Sequence, residues 1–311
     1  MLSLVAAAMI LTAPTETEVT LDSTPAPLHG TMLQPEGASI ATAVIIPGSG
    51  PTDRNGNSSL GMTNGTIRQL AEGLAEKGIS TVRIDKRGVG ASISAMHAEA
   101  DTRFEHMVDD AKAWATQTAR TQNLPCVWLI GHSEGALVAQ AAAKDNDTVC
   151  GLVLLSGVGR KAAVALAEQL GPNLPEPLRT QALETITELD QGRLAPNAPP
   201  QLVLMFRPSV QPYLISWFKY DPAQLAAEYT RPMFIGQGTT DIQSTVADAQ
   251  ALSTAQPNAT LKLWEGINHI WAEAPAERAA NIATYINPQT TIAPQVAEDV
   301  AVFISHHTSV Q

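Results

Sequence analysis

The chain has 311 residues, 44% of them apolar and 16% charged, so it is long enough and apolar enough for a large buried core. A net charge of −11 argues against nucleic acid or an anionic membrane as the main partner, because both select basic surfaces. Two cysteines and seven histidines leave little material for a metal centre, and no Cys/His cluster has zinc spacing.

The first fourteen residues read as a signal-like segment. Leu2 to Ala13 are almost wholly apolar and give way abruptly to Thr15-Glu16-Thr17-Glu18. The run is too short to span a bilayer and lacks the usual positive n-region, so export to the periplasm or medium stands against an apolar N-terminal arm on a cytoplasmic chain. No other segment reads as transmembrane.

From there strand-like and helix-like segments alternate. "EVTLDS" and "LHGTMLQP" predict an opening strand pair joined by "TPAP". "ATAVIIPG" is a continuous apolar run, as expected of a strand buried on both faces. "TIRQLAEGLAEKG" has helical spacing and ends in Gly78. Strand "STVRID", helix "FEHMVDDAKAWATQTA", strand "CVWLIG", helix "GALVAQAAAK" and strand "GLVLLSG" follow. The series closes with "RPMFIGQG", helix "STVADAQALSTA", strand "TLKLWEG" and a helix near "PQVAEDVAVFISHH". This alternation predicts an α/β fold, a doubly wound and mostly parallel eight-stranded sheet whose loops gather at one edge.

Residues 158–229 break the rhythm. They are proline-punctuated, helix-rich and hold an aromatic cluster, Phe206, Tyr213, Trp217, Phe218, Tyr220 and Tyr229. A stretch this long between two strands is expected to be a helical cap, inserted between core segments 15–157 and 230–311. Its aromatic residues suit a core, and a cap core commonly also lines the pocket beneath it. Cys126 and Cys150 each open a run that ends seven residues later. On neighbouring parallel strands they would lie level, as a disulfide or as two buried thiols.

Chemistry concentrates in "GHSEG", residues 131–135. Between a strand and a helix, G-x-S-x-G forms a tight turn that lifts a serine hydroxyl above the sheet. Ser133 is the candidate nucleophile, and the N–H of Glu134 sits at the new helix's start, where it would stabilise an oxyanion. A serine needs a base and a group to orient that base. His269, in "EGINHIW" just past the last strand, is the candidate base; the other histidines lie before the elbow, inside it (His132) or in the terminal helix (His306, His307). Asp241, 108 residues beyond Ser133 and 28 before His269, is the candidate acid. Asp241 would also serve as a helix N-cap, and Asp248 is its rival. The second oxyanion donor should come from "PGSGPTDRNGN", where Ser49 is preferred and Gly50 next. The same loop has Asp53, Asn55 and Asn57 at calcium-loop spacing, but Ser58 replaces the required glycine and Asn64 the required Glu, which excludes an EF-hand. Asp53 and Arg54 are expected to brace the loop, and Asp85 and Arg87 of "DKRGVGAS" to form an internal brace.

Together "IIPGSGPTDRNGN", "DKRGVGAS", "LIGHSEGA", "QPYLISWFKYDPA", "GQGTTDIQS" and "GINHIW" resemble the α/β-hydrolase superfamily, in particular bacterial exported serine esterases related to the serine-aminopeptidase-like hydrolases. The match runs over about residues 20–308. It implies a Ser133–Asp241–His269 triad, an oxyanion hole at Ser49 and Glu134, and acyl transfer without metal or cofactor. Pro47 departs from the pattern, standing where many relatives carry the histidine of a His-Gly pair. The expected activity is hydrolysis of carboxylic esters, with small to medium acyl or aryl groups, on a small-molecule substrate. Peptidase and thioesterase chemistry use the same machinery, and a non-catalytic binding protein on the same fold is the reading from another class. The motifs do not specify oligomeric state.

Overall fold

The central apolar runs fill both faces of their strands with buried side chains, and more exposed strands complete an eight-stranded sheet at its edges. The computed structural model describes residues 13–308, so the signal-like segment lies almost entirely outside the described residues. The strands are β1 (Thr15–Leu21), β2 (Leu28–Gln34), β3 (Ala41–Ile46), β4 (Ile79–Ile84), β5 (Val127–His132), β6 (Val149–Leu155), β7 (Met233–Gly238) and β8 (Thr260–Trp264). Their order across the sheet is β1-β2-β4-β3-β5-β6-β7-β8. β2 runs antiparallel to β1 and β4, and all other pairs are parallel. Every residue of β3, β5 and β6 is buried, the signature of strands covered on both faces.

Helices cover the two faces. α1 (Thr66–Glu76) buries Ile67, Leu70, Ala71, Leu74 and Ala75, the i, i+3, i+4, i+7, i+8 stripe of an amphipathic helix. α2 (Phe104–Thr121) and α3 (Glu134–Ala143) lie on the opposite face, where Trp114, Val138 and Leu252 share one apolar cluster with Val44, Leu129 and Leu154. Between β6 and β7 the chain leaves the sheet as α4 (Ala162–Leu170), α5 (Leu178–Asp190), α6 (Val203–Phe206), α7 (Gln211–Phe218) and α8 (Pro222–Glu228). These helices have their own apolar cluster around Ile186, Leu189, Phe206, Leu214 and Phe218. α9 (Val246–Ala255) returns to the α3 side. α10 (Arg278–Ile286) follows β8, and α11 (Pro294–Thr308) packs beside α1.

Two features refine the sequence reading. β1 starts at Thr15, three residues ahead of the "EVTLDS" run, and pairs with β2 along its whole length. α10 rises from an alanine-rich stretch whose apolar stripe, with Ile282 and Ile286, stays exposed, and Asn281 is its one buried residue. Cys126 and Cys150 form a disulfide with Cα atoms 5.2 Å apart. Cys150 sits where the β5–β6 register shifts, opposite the start of β5.

Five loops at the C-terminal edge of the parallel strands converge: those after β3, β5, β6, β7 and β8. Open α/β sheets place their ligand sites at that edge.

Candidate active site

Ser133 sits in the turn from β5 to α3 with φ 54° and ψ −120°, a left-handed conformation that few non-glycine residues hold. The two flanking glycines make this turn possible through close packing. A Cβ at Gly131 would collide with the Gly135 carbonyl oxygen, and one at Gly135 would collide with the carbonyl of Ile46 at the end of β3. The Ser133 N–H donates to the Leu155 carbonyl at 2.9 Å, tying the turn to the end of β6.

Asp241 and His269 meet beside this turn. His269 Nδ1 lies 2.8 Å from Asp241 Oδ2, and both side chains are buried. Since an ionised carboxylate only accepts, Nδ1 carries the proton and Nε2 is left free as a base. Asp241 is heavily bonded. Its Oδ1 accepts from the N–H groups of Gln243 (2.7 Å) and Ser244 (3.0 Å), and its Oδ2 accepts from Ser244 Oγ (2.8 Å) and Gln237 Nε2 (3.0 Å). Burial alone would raise the Asp241 pKa. The adjoining His269 and these donors outweigh burial and hold it below the ordinary carboxylate value.

Asp248 lies elsewhere. Its carboxylate accepts from Arg160, from Gly159 N and from Thr245 N and Oγ1, closing the start of α9. It is a helix-capping ion pair and makes no hydrogen bond to His269.

The His269 loop is held on both sides. Asn268 Oδ1 accepts from the N–H groups of Ile270 and Ala272, and Asn268 Nδ2 donates to Thr284 Oγ1. From below, His132 Nε2 donates to the His269 carbonyl at 2.9 Å. His132 stacks edge-on against Trp271. Burial, helped by the neighbouring His269, pushes the His132 pKa down from 6.5 to about 3, so this imidazole stays neutral. Its role is structural support beneath the base, which the sequence could not assign to a histidine within the elbow.

The loop after β3 brings Ser49 to the other side of Ser133. Gly48 packs so closely that a Cβ there would lie 3.1 Å from Ser133 Cβ. Among the described residues, neither the Ser49 N–H nor the Glu134 N–H donates to an acceptor of the chain. The Ser133 hydroxyl likewise has no hydrogen-bond partner among them, and nucleophile–base bonds commonly tighten only with substrate present. Asp53 and Arg54 brace the loop as expected, whereas Asp85 and Arg87 brace the fold through Arg54 and Asp110 rather than with each other. Asp53 Oδ1 accepts from the N–H groups of Asn55 and Asn57. Arg54 bonds Asp85 through both its N–H and its guanidinium, and Arg87 pairs with Asp110.

Ser133, His269, Ser49 and Glu134 line a cavity of about 130 Å³ that is walled by Leu137, Leu166, Trp217 and Pro222. Beyond Ser49 and Glu134 lies a wider cleft of about 530 Å³, bounded by Met96, Met107, Val210 and Tyr213. At the junction Tyr213 Oη donates to Glu134 Oε1 at 2.6 Å. Burial and the Glu134 charge raise the phenol's pKa well above its usual value. Gln237, Ser244 and Asn268 are site residues that sequence reasoning missed, and Tyr213, read there only as a cap aromatic, also holds Glu134. The one signal those first three share is polarity inside or beside apolar runs. Among the described residues no group of three or more His, Cys, Asp or Glu side chains has metal-site geometry, and no helix is long and apolar enough to cross a membrane.

The profile of the family described as serine aminopeptidase, S33, matches residues 59–273, more than half of the chain. No curated protein matches the sequence. Among solved structures, Est1E from Butyrivibrio proteoclasticus with ferulic acid bound superposes with a TM-score of 0.60 at 17% identity, covering 94% of this chain and 99% of that one. The esterase domain of a Rhodothermus marinus protein gives 0.58 at 15% identity over the same shares. A proline iminopeptidase from Mycobacterium smegmatis gives 0.59 at 15% identity, again over 94% and 99%.

Proposed function

We infer, since this chain belongs to the serine aminopeptidase S33 family of α/β-hydrolases, that it is a serine hydrolase cleaving carboxylic esters through an acyl-enzyme. The observation that carries the reading is the Asp241–His269 pair at 2.8 Å, beside a serine held in a strained elbow.

Ser133 Oγ attacks the ester carbonyl carbon while His269 Nε2 takes the hydroxyl proton. The carbonyl oxygen becomes an oxyanion and accepts from the unpaired N–H groups of Ser49 and Glu134. Asp241 keeps the imidazole in the right tautomer and stabilises its cation. Collapse breaks the C–O bond, His269 protonates the departing alcohol, and a water activated by the same imidazole then releases the acid. Preorganised donors of this kind are worth about 10²–10³ in rate each.

The cavity supports small to medium acyl or aryl groups. Its walls include Leu137, Ala162, Ala165, Leu166 and Trp217, and about 130 Å³ of space admits a compact apolar group. Est1E, solved with an aromatic acid bound, is consistent with that choice. Residues 158–229 act in this reading as the cap, since α4 and α7 contribute Ala162, Ala165 and Trp217 to the wall. The disulfide supports export of the chain to an oxidising compartment.

Aminopeptidase activity is the second reading, favoured by the family's description and by the proline iminopeptidase likeness. A chain-length series of p-nitrophenyl esters, run beside aminoacyl arylamides and acyl thioesters, tests the choice. Esters are expected to give the highest kcat/KM. Faster turnover of the arylamides or thioesters would overturn the assignment.

A further inference from the structure

Lys86 belongs to none of the roles assigned so far, and its position follows from strand register. β3 and β4 run parallel with Ile45 opposite Arg83. Gly48 and Lys86 each lie two residues past the ends of these neighbouring strands, so the two loops leave the sheet side by side. There the ammonium donates to the Gly48 carbonyl and, at 2.8 Å, to the Gly50 carbonyl. Thr52 Oγ1 donates to the Ser49 carbonyl between them at 3.0 Å, so three consecutive carbonyls of this turn are held.

The first of these bonds matters most. The Gly48 carbonyl and the Ser49 N–H belong to one peptide unit, and a trans peptide is planar with its C=O and N–H pointing in opposite directions. A carbonyl held on the Lys86 ammonium therefore turns the Ser49 N–H away from Lys86, and that N–H donates to nothing else in the described chain. A cation on the carbonyl also polarises the shared peptide and strengthens its N–H as a donor, because hydrogen bonds in a chain reinforce one another.

We propose that Lys86 is a positioning residue of the oxyanion site, fixing and polarising the Gly48–Ser49 peptide so that the Ser49 N–H meets the developing negative charge. The proposal rests on the acyl-transfer reading above. It assigns a function to the lysine of "DKRGVGAS", whose flanking Asp85 and Arg87 only brace the fold. It also explains how a loop with Pro47 before Gly48 keeps its donor aimed without help from the side chain at 47.

The test compares the parent with Lys86→Met, which keeps an unbranched side chain one atom shorter and removes both hydrogen bonds and the charge. Removing an oxyanion donor outright costs about 10²–10³ in kcat. A released peptide still samples the donating orientation, so Lys86→Met is expected to lower kcat about 10–100-fold with KM nearly unchanged. Binding of an alkyl trifluoromethyl ketone, which forms a tetrahedral adduct with the serine, should weaken by the same factor as kcat/KM. A loss in kcat of less than about 10-fold overturns the proposal, and so does a loss carried by KM with ketone affinity unchanged. If Lys86→Met fails to fold, Lys86→Leu with the parent's near-ultraviolet circular dichroism, which also has no donor, is read by the same criteria. A parent protein that a fluorophosphonate never labels would instead sink the acyl-transfer reading, which separates the two failures.

Discussion

At the scale of single residues, two carboxylates compete for one role and their surroundings separate them. Asp241 spends its oxygens on His269, Ser244, Gln243 and Gln237, whereas Asp248 spends its own on Arg160 and the start of α9. Asp241→Asn keeps the shape but offers the imidazole the wrong partner, so kcat should fall by about 10⁴. Asp248→Asn removes the buried half of an ion pair whose Arg160 partner is partly exposed, and should lower stability by about 2 kcal/mol while sparing most of kcat. Steady-state kinetics and urea unfolding on both variants check this. A large loss of kcat in Asp248→Asn with Asp241→Asn unaffected would reverse the assignment. Ser133, His269 and Asp241 were legible in the sequence because each follows a recognisable strand in the order this topology requires. Lys86, Gln237, Ser244 and Asn268 were not, because each acts on a residue or peptide that it meets only through the folded register of strands and loops.

At the scale of elements, the site is a set of strand ends tied to one another. His132 closes β5 and holds the loop after β8 through the His269 carbonyl. The tie has a pH signature. In the unfolded chain this imidazole protonates near 6.5, while in the folded chain it stays neutral down to about 3. Between those values the unfolded state binds more protons, so stability falls as pH drops, by up to about 1.4 kcal/mol per pH unit from this residue. His132→Gln retains a donor and cannot titrate. Urea unfolding from pH 7 to pH 4.5 should therefore show a shallower acid loss in His132→Gln than in the parent; equal slopes would contradict the role given to His132. The elements themselves were read well where burial is two-sided, as in β3, β5 and β6, since their short β-branched apolar runs are bounded by turn residues, unlike the alanine-rich buried run of α3. α10 was invisible because it buries a polar residue, Asn281, which donates to the Thr240 and Pro275 carbonyls. It anchors by hydrogen bonds rather than by an apolar stripe.

At the scale of the whole molecule, the disulfide links the starts of β5 and β6 across a sequence separation of 24 residues. A loop of that size is expected to stabilise the fold by about 3.5 kcal/mol through the unfolded state. The paired change Cys126→Ser and Cys150→Ser should lower the urea midpoint accordingly while leaving kcat close to the parent's, because the bridge lies at the opposite end of β5 from Ser133. Mass spectrometry of the unreduced protein should find no alkylatable thiol at either position; two modified thiols would remove this support for the export proposal. The central claim, that strand ends and a strained elbow arm Ser133 for acyl transfer, is tested most directly by fluorophosphonate labelling followed by peptide mapping. The expected result is one adduct, on Ser133, lost in Ser133→Ala and greatly slowed in His269→Ala. Folded protein that takes up no label, or takes it on another residue, would contradict it.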